Sequence, residues 1–332
     1  MSALRVAALV LTALLAGCET TSYYAQAIGG QMSLLYHARP IDSWLADPAT
    51  PPELRARLQS AQRIRAFASH DLGLPDNGSY TSYVDLGRPY VVWNVYAAGE
   101  FSVDPKSQCF PIAGCVSYRG FFKEEDARRH AEELRAQGYD VFVAGVAAYS
   151  TLGWFDDPLL STSIEYSDTQ LARLLFHELA HQLVYAKGDT TFNESFAVTV
   201  EEEGVRRWLN AEGRGAELEK FRALQVRRRE FAARIKDARE RLRTIYASSL
   251  TREQMLEQKK AEFDRLRAAY GKVIPADANN GFLVSIALYT ELVPALQREL
   301  AASKGDLQEF YKRAGQLARM SKDERQAALA SR

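Results

Sequence analysis

A strongly apolar helix that carries charged and titratable side chains at fixed spacing constrains this chain more than any other feature. The polar side chains between residues 171 and 184 are Arg173, His177, Glu178, His181 and Gln182. A helix that is apolar over most of its surface is a buried helix. An acid and two imidazoles in such a helix each need a partner, because an unpaired buried ion costs several kcal/mol.

Both ends of this helix are marked in the sequence. Ser167-Asp-Thr-Gln170 matches a capping box, in which the serine and glutamine side chains bond free backbone amides of the first turn. Lys187-Gly188 is typical of a helix end. The sequence therefore predicts a helix from about residue 168 to residue 187.

The spacing of the histidines suits a metal ion. At about 100° per residue, His177 and His181 project from one stripe of the helix, and Glu178 lies beside that stripe. Two imidazoles one turn apart can share a tetrahedral cation, while the neighbouring carboxylate faces a water molecule in the open position. The alternative is that both are ordinary core histidines with hydrogen-bond partners.

A catalytic zinc site needs a third protein ligand, and Glu194 is the candidate. Thr191-Phe-Asn-Glu194 is itself a capping-box pattern, so Glu194 could instead serve only the start of the next helix. That helix places Glu194 and Glu201 on one otherwise apolar face, which suggests that the face turns inward toward a positive charge.

The pattern H-E-x-x-H followed by N-E-x-x-A on the next helix resembles the gluzincin clan of zinc metallopeptidases, which includes thermolysin and the zinc aminopeptidases. More closely, the chain after its first residues resembles a family of bacterial lipoproteins called putative aminopeptidases. The segments that carry this likeness are VSYRGFF, AYSTLGWFDDPLL, FHELAHQ and NESFA.

The resemblance implies a zincin-like peptidase with one Zn²⁺ ion. Its ligands would be His177, His181 and Glu194, with Glu178 as general base and Glu201 as a carboxylate supporting the ligands. The best-known gluzincins have a longer spacing after the second histidine. That longer spacing would reach Glu201, so Glu201 stays the alternative ligand.

Substrate-binding residues are less clearly marked. Tyr289 is a candidate donor to the oxyanion and Asn280 a candidate substrate ligand, although a core position for Tyr289 and a turn for Asn280 are the simpler explanations. The resemblance also suggests that residues 145–152, with Tyr149, form an edge strand that binds substrate by strand addition. An ordinary sheet strand and turn is the alternative.

The first residues, MSALRVAALVLTALLAGC, are typical of an export signal and too short to span a membrane. Leu15-Ala16-Gly17-Cys18 resembles a bacterial lipobox, which implies a signal peptide at residues 1–17 and a lipid on Cys18. Glu19 is not the aspartate that often retains such proteins at the inner membrane. We therefore expect a periplasm-facing lipoprotein of the outer membrane; an ordinary signal peptide is the alternative.

Export changes the interpretation of the two remaining cysteines. Cys109 and Cys115 bracket a short loop that contains proline and glycine. In an oxidising compartment we expect them to form a disulfide.

The pattern along the chain predicts an α+β fold in which a small mixed sheet packs on the motif helix. We expect one unit at residues 18–332, with a helical part at 19–80, a sheet layer at 81–165 and metal-binding helices at 166–210. A long helical hairpin follows at 217–270, and C-terminal helices at 271–332. Strands are predicted at 89–98, 114–122 and 139–150, with a helix at 123–137.

Composition narrows the possible partners. Basic and acidic residues balance at 42 each, which gives no sign of nucleic-acid binding. The sequence predicts a zinc-dependent peptidase of the bacterial envelope, an aminopeptidase by resemblance, with a peptide substrate and a membrane contact through Cys18. The alternatives are an endopeptidase and a non-catalytic lipoprotein that binds a peptide or a partner.

Overall fold

A computed structural model of the chain describes residues 23–110 and 114–330, which form a mixed α+β fold with a large helical share. The predicted signal peptide and Cys18 lie outside the described residues. No helix among residues 23–110 and 114–330 has the length and apolar character needed to cross a membrane.

The described residues form thirteen α-helices, which are distributed along the whole described chain. Their bounds are α1 at residues 23–37, α2 Ile41–Ala46, α3 Pro52–His70, α4 Glu124–Ala136, α5 Ser161–Ile164, α6 Asp168–Leu183, α7 Thr190–Ala211, α8 Gly215–Tyr246, α9 Arg252–Tyr270, α10 Asn280–Thr290, α11 Val293–Ala302, α12 Leu307–Arg319 and α13 Lys322–Ala330.

The strands are short and form three small sheets. Their bounds are β1 Arg39–Pro40, β2 Ser82–Val84, β3 Val92–Gly99, β4 Gln108–Phe110, β5 Gly114–Val116, β6 Tyr118–Phe121, β7 Tyr139–Val146 and β8 Leu159–Leu160. The largest sheet has the order β6-β3-β7 and is antiparallel throughout. A second sheet has the order β1-β2-β8, with β2 and β8 parallel, and β4 pairs with β5.

The β6-β3-β7 sheet is buried on both faces. Trp93, Val95 and Ala97 of β3 pack against α4. Tyr96 and Ala98 point to the other face and pack against α10. This alternation follows from the period of two of a strand.

Helix α10 takes the place that the sequence assigned to the motif helix. A Cβ on Gly281 would lie about 3 Å from backbone atoms of Tyr96, Asp140 and Phe142, so α10 approaches the sheet closely because glycine stands there. The predicted packing of the sheet directly on the motif helix is therefore wrong for this face. Helix α6 packs mainly against α7 and α3 instead.

The main core lies among the helices. Phe176 of α6, Phe192 and Phe196 of α7 and Phe310 of α12 are fully buried in it. The ring centroids of Phe196 and Phe310 lie 5.7 Å apart. Helices α6 and α7 are thus held on their apolar sides by large aromatic side chains, which leaves their polar stripes free to face each other.

Several predicted boundaries are wrong. The N-terminal helical region is interrupted around residues 38–40 and 47–51, where prolines 40, 48 and 51 remove backbone donors. The strand predicted at 114–122 is two strands. The chain leaves the sheet at Ser117, whose amide bonds Thr190 Oγ1 at 3.3 Å.

The helical hairpin is formed by α8 and α9. Thr251 and Gln254 make the expected capping box at the start of α9. Ile235, Leu242 and Phe263 of the hairpin share a core with Phe282 of α10. The hairpin is therefore connected through α10 to the sheet.

Candidate metal centre

The centre lies between α6 and α7, which pack side by side. His177 Nε2 and His181 Nε2 lie 3.2 Å apart. Glu194 Oε2 lies 3.2 Å from His177 Nε2 and 3.4 Å from His181 Nε2. The two histidines predicted from α6 and the glutamate predicted from α7 therefore meet at one point.

These three atoms form a triangle of the size that a zinc ion requires. With Zn–N and Zn–O bonds of about 2.0–2.1 Å, the edges of a coordination tetrahedron measure about 3.3–3.4 Å. The observed edges of 3.2, 3.2 and 3.4 Å agree with that value. Two imidazole nitrogens and one carboxylate oxygen are also a donor set that zinc accepts. The residues present fit a metal ion.

Glu194 is free to act as a ligand because it does not cap its helix. Helix α7 begins at Thr190, and its cap is Asp189, whose side chain accepts a hydrogen bond from Phe192 N. The capping box predicted from Thr191 to Glu194 is therefore not formed. Glu194 lies in the second turn, 5% exposed, and faces the histidines.

Asn193 fixes the turn between the two helices. Its side-chain oxygen accepts a hydrogen bond from Ala186 N at 2.7 Å, and its amide donates one to Ala186 O at 2.9 Å. This pairing takes the backbone of Ala186 out of helical bonding, so α6 ends at Leu183 and not near Gly188 as predicted. Because α6 ends early, the short connection to α7 can bring Glu194 next to His181.

Glu201 lies behind His177 and not at the metal position. Its Oε2 is 2.9 Å from His177 Nδ1, the nitrogen on the far side of the ring from Glu194. Its other oxygen accepts a hydrogen bond of 2.5 Å from Arg173 Nε. An acceptor at Nδ1 holds the ring so that Nε2 faces the centre, which is the usual support of a metal-binding histidine.

Negative charge dominates this site. Burial lowers the pKa of His177, but the hydrogen bonds that its ring donates to the carboxylates of Glu194 and Glu201 outweigh burial and raise that pKa to about 10. Burial raises the pKa of Glu194, yet His181 and His177 outweigh it and hold that pKa far below its usual range. A group of carboxylates that favours a proton on its histidine also favours a divalent cation in the same place.

Glu178 differs from the other acids of the site. Burial raises its pKa, and the nearby histidines offset only part of that rise. None of the hydrogen bonds among the described residues ends on its side chain, and it lines the cavity beside the histidines. Its oxygens are therefore available to a water molecule or a substrate.

Two tyrosines border the centre. Tyr118 Oη donates a hydrogen bond of 3.3 Å to Glu194 Oε1. The ring of Tyr289 stacks at 6.3 Å from that of His177, and its hydroxyl is hydrogen-bonded to Tyr96. Burial raises the pKa of both Tyr118 and Tyr289 far above the usual range, so both hydroxyls keep their protons. Sequence reasoning missed Tyr118; its position in VSYRGFF was the only signal.

A cavity of about 470 Å³ opens beside these groups. It is bordered by α1, β6 and residues 148–152, and Tyr149 and Tyr289 both line it. Asn280 does not take part, because its amide bonds the carbonyl oxygens of Gly99 and Glu100 at the opposite end of α10. That end is about 13 Å of helix from Tyr289.

The edge strand expected at residues 145–152 is mostly absent. Strand β7 ends at Val146, and the chain turns through Leu152 and Gly153, both with positive φ. The hydroxyl of Thr162 donates a hydrogen bond to Ala147 O, and Thr151 N donates one to Asp157 Oδ2. The backbone of this segment is therefore held by hydrogen bonds to side chains and not by a neighbouring strand. Among the described strands, β6 is an edge strand that lines the cavity.

Cys109 and Cys115 form a disulfide across the β4–β5 hairpin. The hairpin lies next to the start of α7, because Ser117 follows it directly and bonds Thr190. The bridge therefore lies near the site in space, although it is distant along the chain, and neither cysteine lines the cavity.

Comparison with known proteins gives one finding. The model of the family described as "Putative aminopeptidase" matches residues 22–329. No curated protein and no solved structure matches the chain. Since the family match spans nearly the whole chain and includes every residue of the candidate site, this chain belongs to the "Putative aminopeptidase" family.

Proposed function

We propose that this protein is a zinc-dependent aminopeptidase of gluzincin type that works in the bacterial envelope, anchored by a lipid on Cys18. The observation that carries the enzymatic part is the triangle of His177, His181 and Glu194, with Glu178 beside it, whose carboxylate is bonded by no side chain among the described residues. The preference for a free N-terminus rests on the family, and the envelope location rests on the sequence of residues 1–18.

The donor set assigns each residue a part. His177, His181 and Glu194 would hold the ion, and Glu201 would hold His177 from behind. Bound there, a zinc ion would supply a Lewis acid that polarises the peptide carbonyl and makes water easier to deprotonate.

Glu178 supplies the proton transfers. Its raised pKa suits a base that accepts a proton from the attacking water and then returns it to the leaving amine. Because no described side chain bonds its carboxylate, accepting the proton breaks no hydrogen bond within the protein.

Protonated tyrosines supply a donor for the oxyanion. Tyr289 lies over His177 and faces the cavity, with its hydroxyl kept neutral by burial. Tyr118 lines the same cavity but already donates its single hydroxyl proton to Glu194, so Tyr289 is the proposed donor. A neutral donor placed before reaction stabilises the charge that develops on the carbonyl oxygen.

The test compares Glu178→Gln with Glu165→Gln, since Glu165 is an exposed glutamate outside the cavity. We expect Glu178→Gln to keep its metal and lose roughly 10²–10⁴ in kcat, and Glu165→Gln to match the wild type. The assay is hydrolysis of short peptides with free and with blocked N-termini, beside metal analysis of each variant. Full turnover by Glu178→Gln would overturn the mechanism; equal cleavage of blocked peptides would overturn the aminopeptidase assignment alone.

The anchor has its own test. Cells fed labelled palmitate should label the wild type and fail to label Cys18→Ser. An unlabelled wild type would refute lipidation without affecting the catalytic proposal.

A further inference from the structure

The cavity beside the metal centre has an apolar wall with two parts. Helix α1 contributes Ile28 and Met32, and the loop at residues 148–155 contributes Leu152 and Phe155. The wall continues the space next to His177 and Glu178, so a side chain attached to a bound peptide would reach it.

Several of these side chains are exposed to an unusual degree. Ile28 is 60% exposed, Met32 52% and Phe155 46%. Ile28, Met32 and Tyr36 follow at intervals of four and form one stripe of α1. Tyr36 is 86% exposed but does not line the cavity. The stripe thus has two residues at the cavity and one beyond it.

Polar contacts hold the two parts of the wall together. Gln31 Nε2 of α1 donates a hydrogen bond of 3.2 Å to Asp157 Oδ1. The other oxygen of Asp157 accepts hydrogen bonds from Thr151 N at 2.8 Å and from Thr151 Oγ1 at 3.0 Å. A single carboxylate, 2% exposed, therefore links α1 to the loop.

A second contact attaches α1 to the sheet. The amide of Gln26 accepts a hydrogen bond from Phe122 N at 3.1 Å and donates a weaker one to Gly120 O at 3.4 Å. These are backbone groups at the edge beside β6, so α1 is fixed against the strand that borders the cavity. The apolar residues of α1 are thereby held at a set distance from the metal centre.

We propose that this wall selects the substrate, and that the preferred substrates are peptides with a large apolar side chain beside the scissile bond. This inference rests on the proposed peptidase function. An apolar side chain that enters the cavity buries itself against exposed apolar surface, which is favourable in proportion to the area removed from water. A charged side chain would lose water there and gain no partner from Ile28, Met32 or Phe155.

The test uses peptides Ala-X-Ala-Ala that differ only in X, with cleavage at either bond of X measured by mass spectrometry. We expect kcat/KM for X = Phe or Leu to exceed that for X = Lys by roughly tenfold or more. Met32→Glu should reduce the Phe/Lys ratio at least tenfold, both by removing the apolar contact and by attracting lysine. Met32→Gln should reduce it less. Both variants change an exposed helical position, so the fold is retained.

Tyr36→Glu is the matched control, because it places the same charge on the same stripe outside the cavity. It should keep the Phe/Lys ratio of the wild type. An equal loss with Tyr36→Glu would show a general surface effect and overturn the inference. A wild type without apolar preference, or Met32→Glu with an unchanged ratio, would overturn it as well while leaving the peptidase proposal intact. Failure of the metal-loaded wild type to cleave any peptide would instead overturn the proposed function, and this inference with it.

Discussion

Replacing Glu201 by glutamine tests whether Glu201 supports a metal-binding histidine or is itself a metal ligand. In the structure Glu201 is 2% exposed and contacts His177 only at Nδ1, at 2.9 Å. Glutamine keeps the shape and one acceptor oxygen but removes the charge. The freed Arg173 side chain is 35% exposed, so water can replace its lost partner.

The expected magnitude follows from this position. Loss of a carboxylate behind a metal-bound histidine typically weakens metal binding by about 10–100-fold, or about 1.4–2.7 kcal/mol. Glu194→Gln removes a direct ligand, so its effect should exceed that range. The assay is zinc competition against a chromophoric chelator at neutral pH, with the dissociation constant of each variant measured under the same conditions.

Glu202→Gln is the control, because Glu202 is the next residue but bonds Gln297 and not a histidine. It should leave zinc affinity close to that of the wild type. Zinc binding by Glu201→Gln as strong as in the wild type would refute the supporting role. Zinc binding as weak as in Glu194→Gln would show that Glu201 is a ligand and that the described geometry is wrong.

Two further predictions concern stability and use the metal-free protein. Burial raises the pKa of Asp157 to about 6, so between pH 4 and 6 the folded state holds a proton that the unfolded state has released. The free energy of unfolding should therefore fall by about 3 kcal/mol as pH rises through this window. Urea unfolding at several pH values should show that Asp157→Asn removes this loss. Equal slopes of unfolding free energy against pH in the wild type and the variant would contradict the prediction. Asn193→Ala leaves Ala186 N without its partner, while Ala186 O keeps the hydrogen bond from Asp189 N, so the substitution should cost roughly 1–3 kcal/mol in the same assay, whereas the exposed Asn210→Ala should cost little. A small effect of Asn193→Ala would show that the turn does not depend on this pairing.

Local sequence signals predicted the parts of the site that depend on local structure. The Ser167–Gln170 capping box is formed, and the period of the helix places His177 and His181 on one stripe. The helix at 123–137 agrees with α4 at Glu124–Ala136, where Gly138 has the positive φ of a helix end. Each of these features involves residues within one or two helical turns of each other, so it can be predicted from a short stretch of sequence.

Contacts between distant segments were not predictable in the same way. Lys187-Gly188 is the better local signal for a helix end, but the hydrogen bonds between the Asn193 side chain and the backbone of Ala186 end α6 earlier. Packing of α10 on the sheet depends on the shape of both surfaces at Gly281. Tyr118 reaches Glu194 over 76 residues of chain, and Gln31 reaches Asp157 over 126. The hydrophobic pattern and the helix and strand propensities of a sequence give neither the distance nor the orientation between two elements that are far apart along the chain.

The proposed peptidase activity depends on a divalent ion held by His177, His181 and Glu194. The most direct measurement is zinc-edge X-ray absorption on the purified protein, beside metal analysis of wild type and His181→Ala. We expect one zinc per chain, bound by two imidazole nitrogens and oxygen ligands at about 2.0–2.1 Å, and loss of the metal in His181→Ala. A metal-free wild type, or zinc retained with unchanged ligands in His181→Ala, would contradict it.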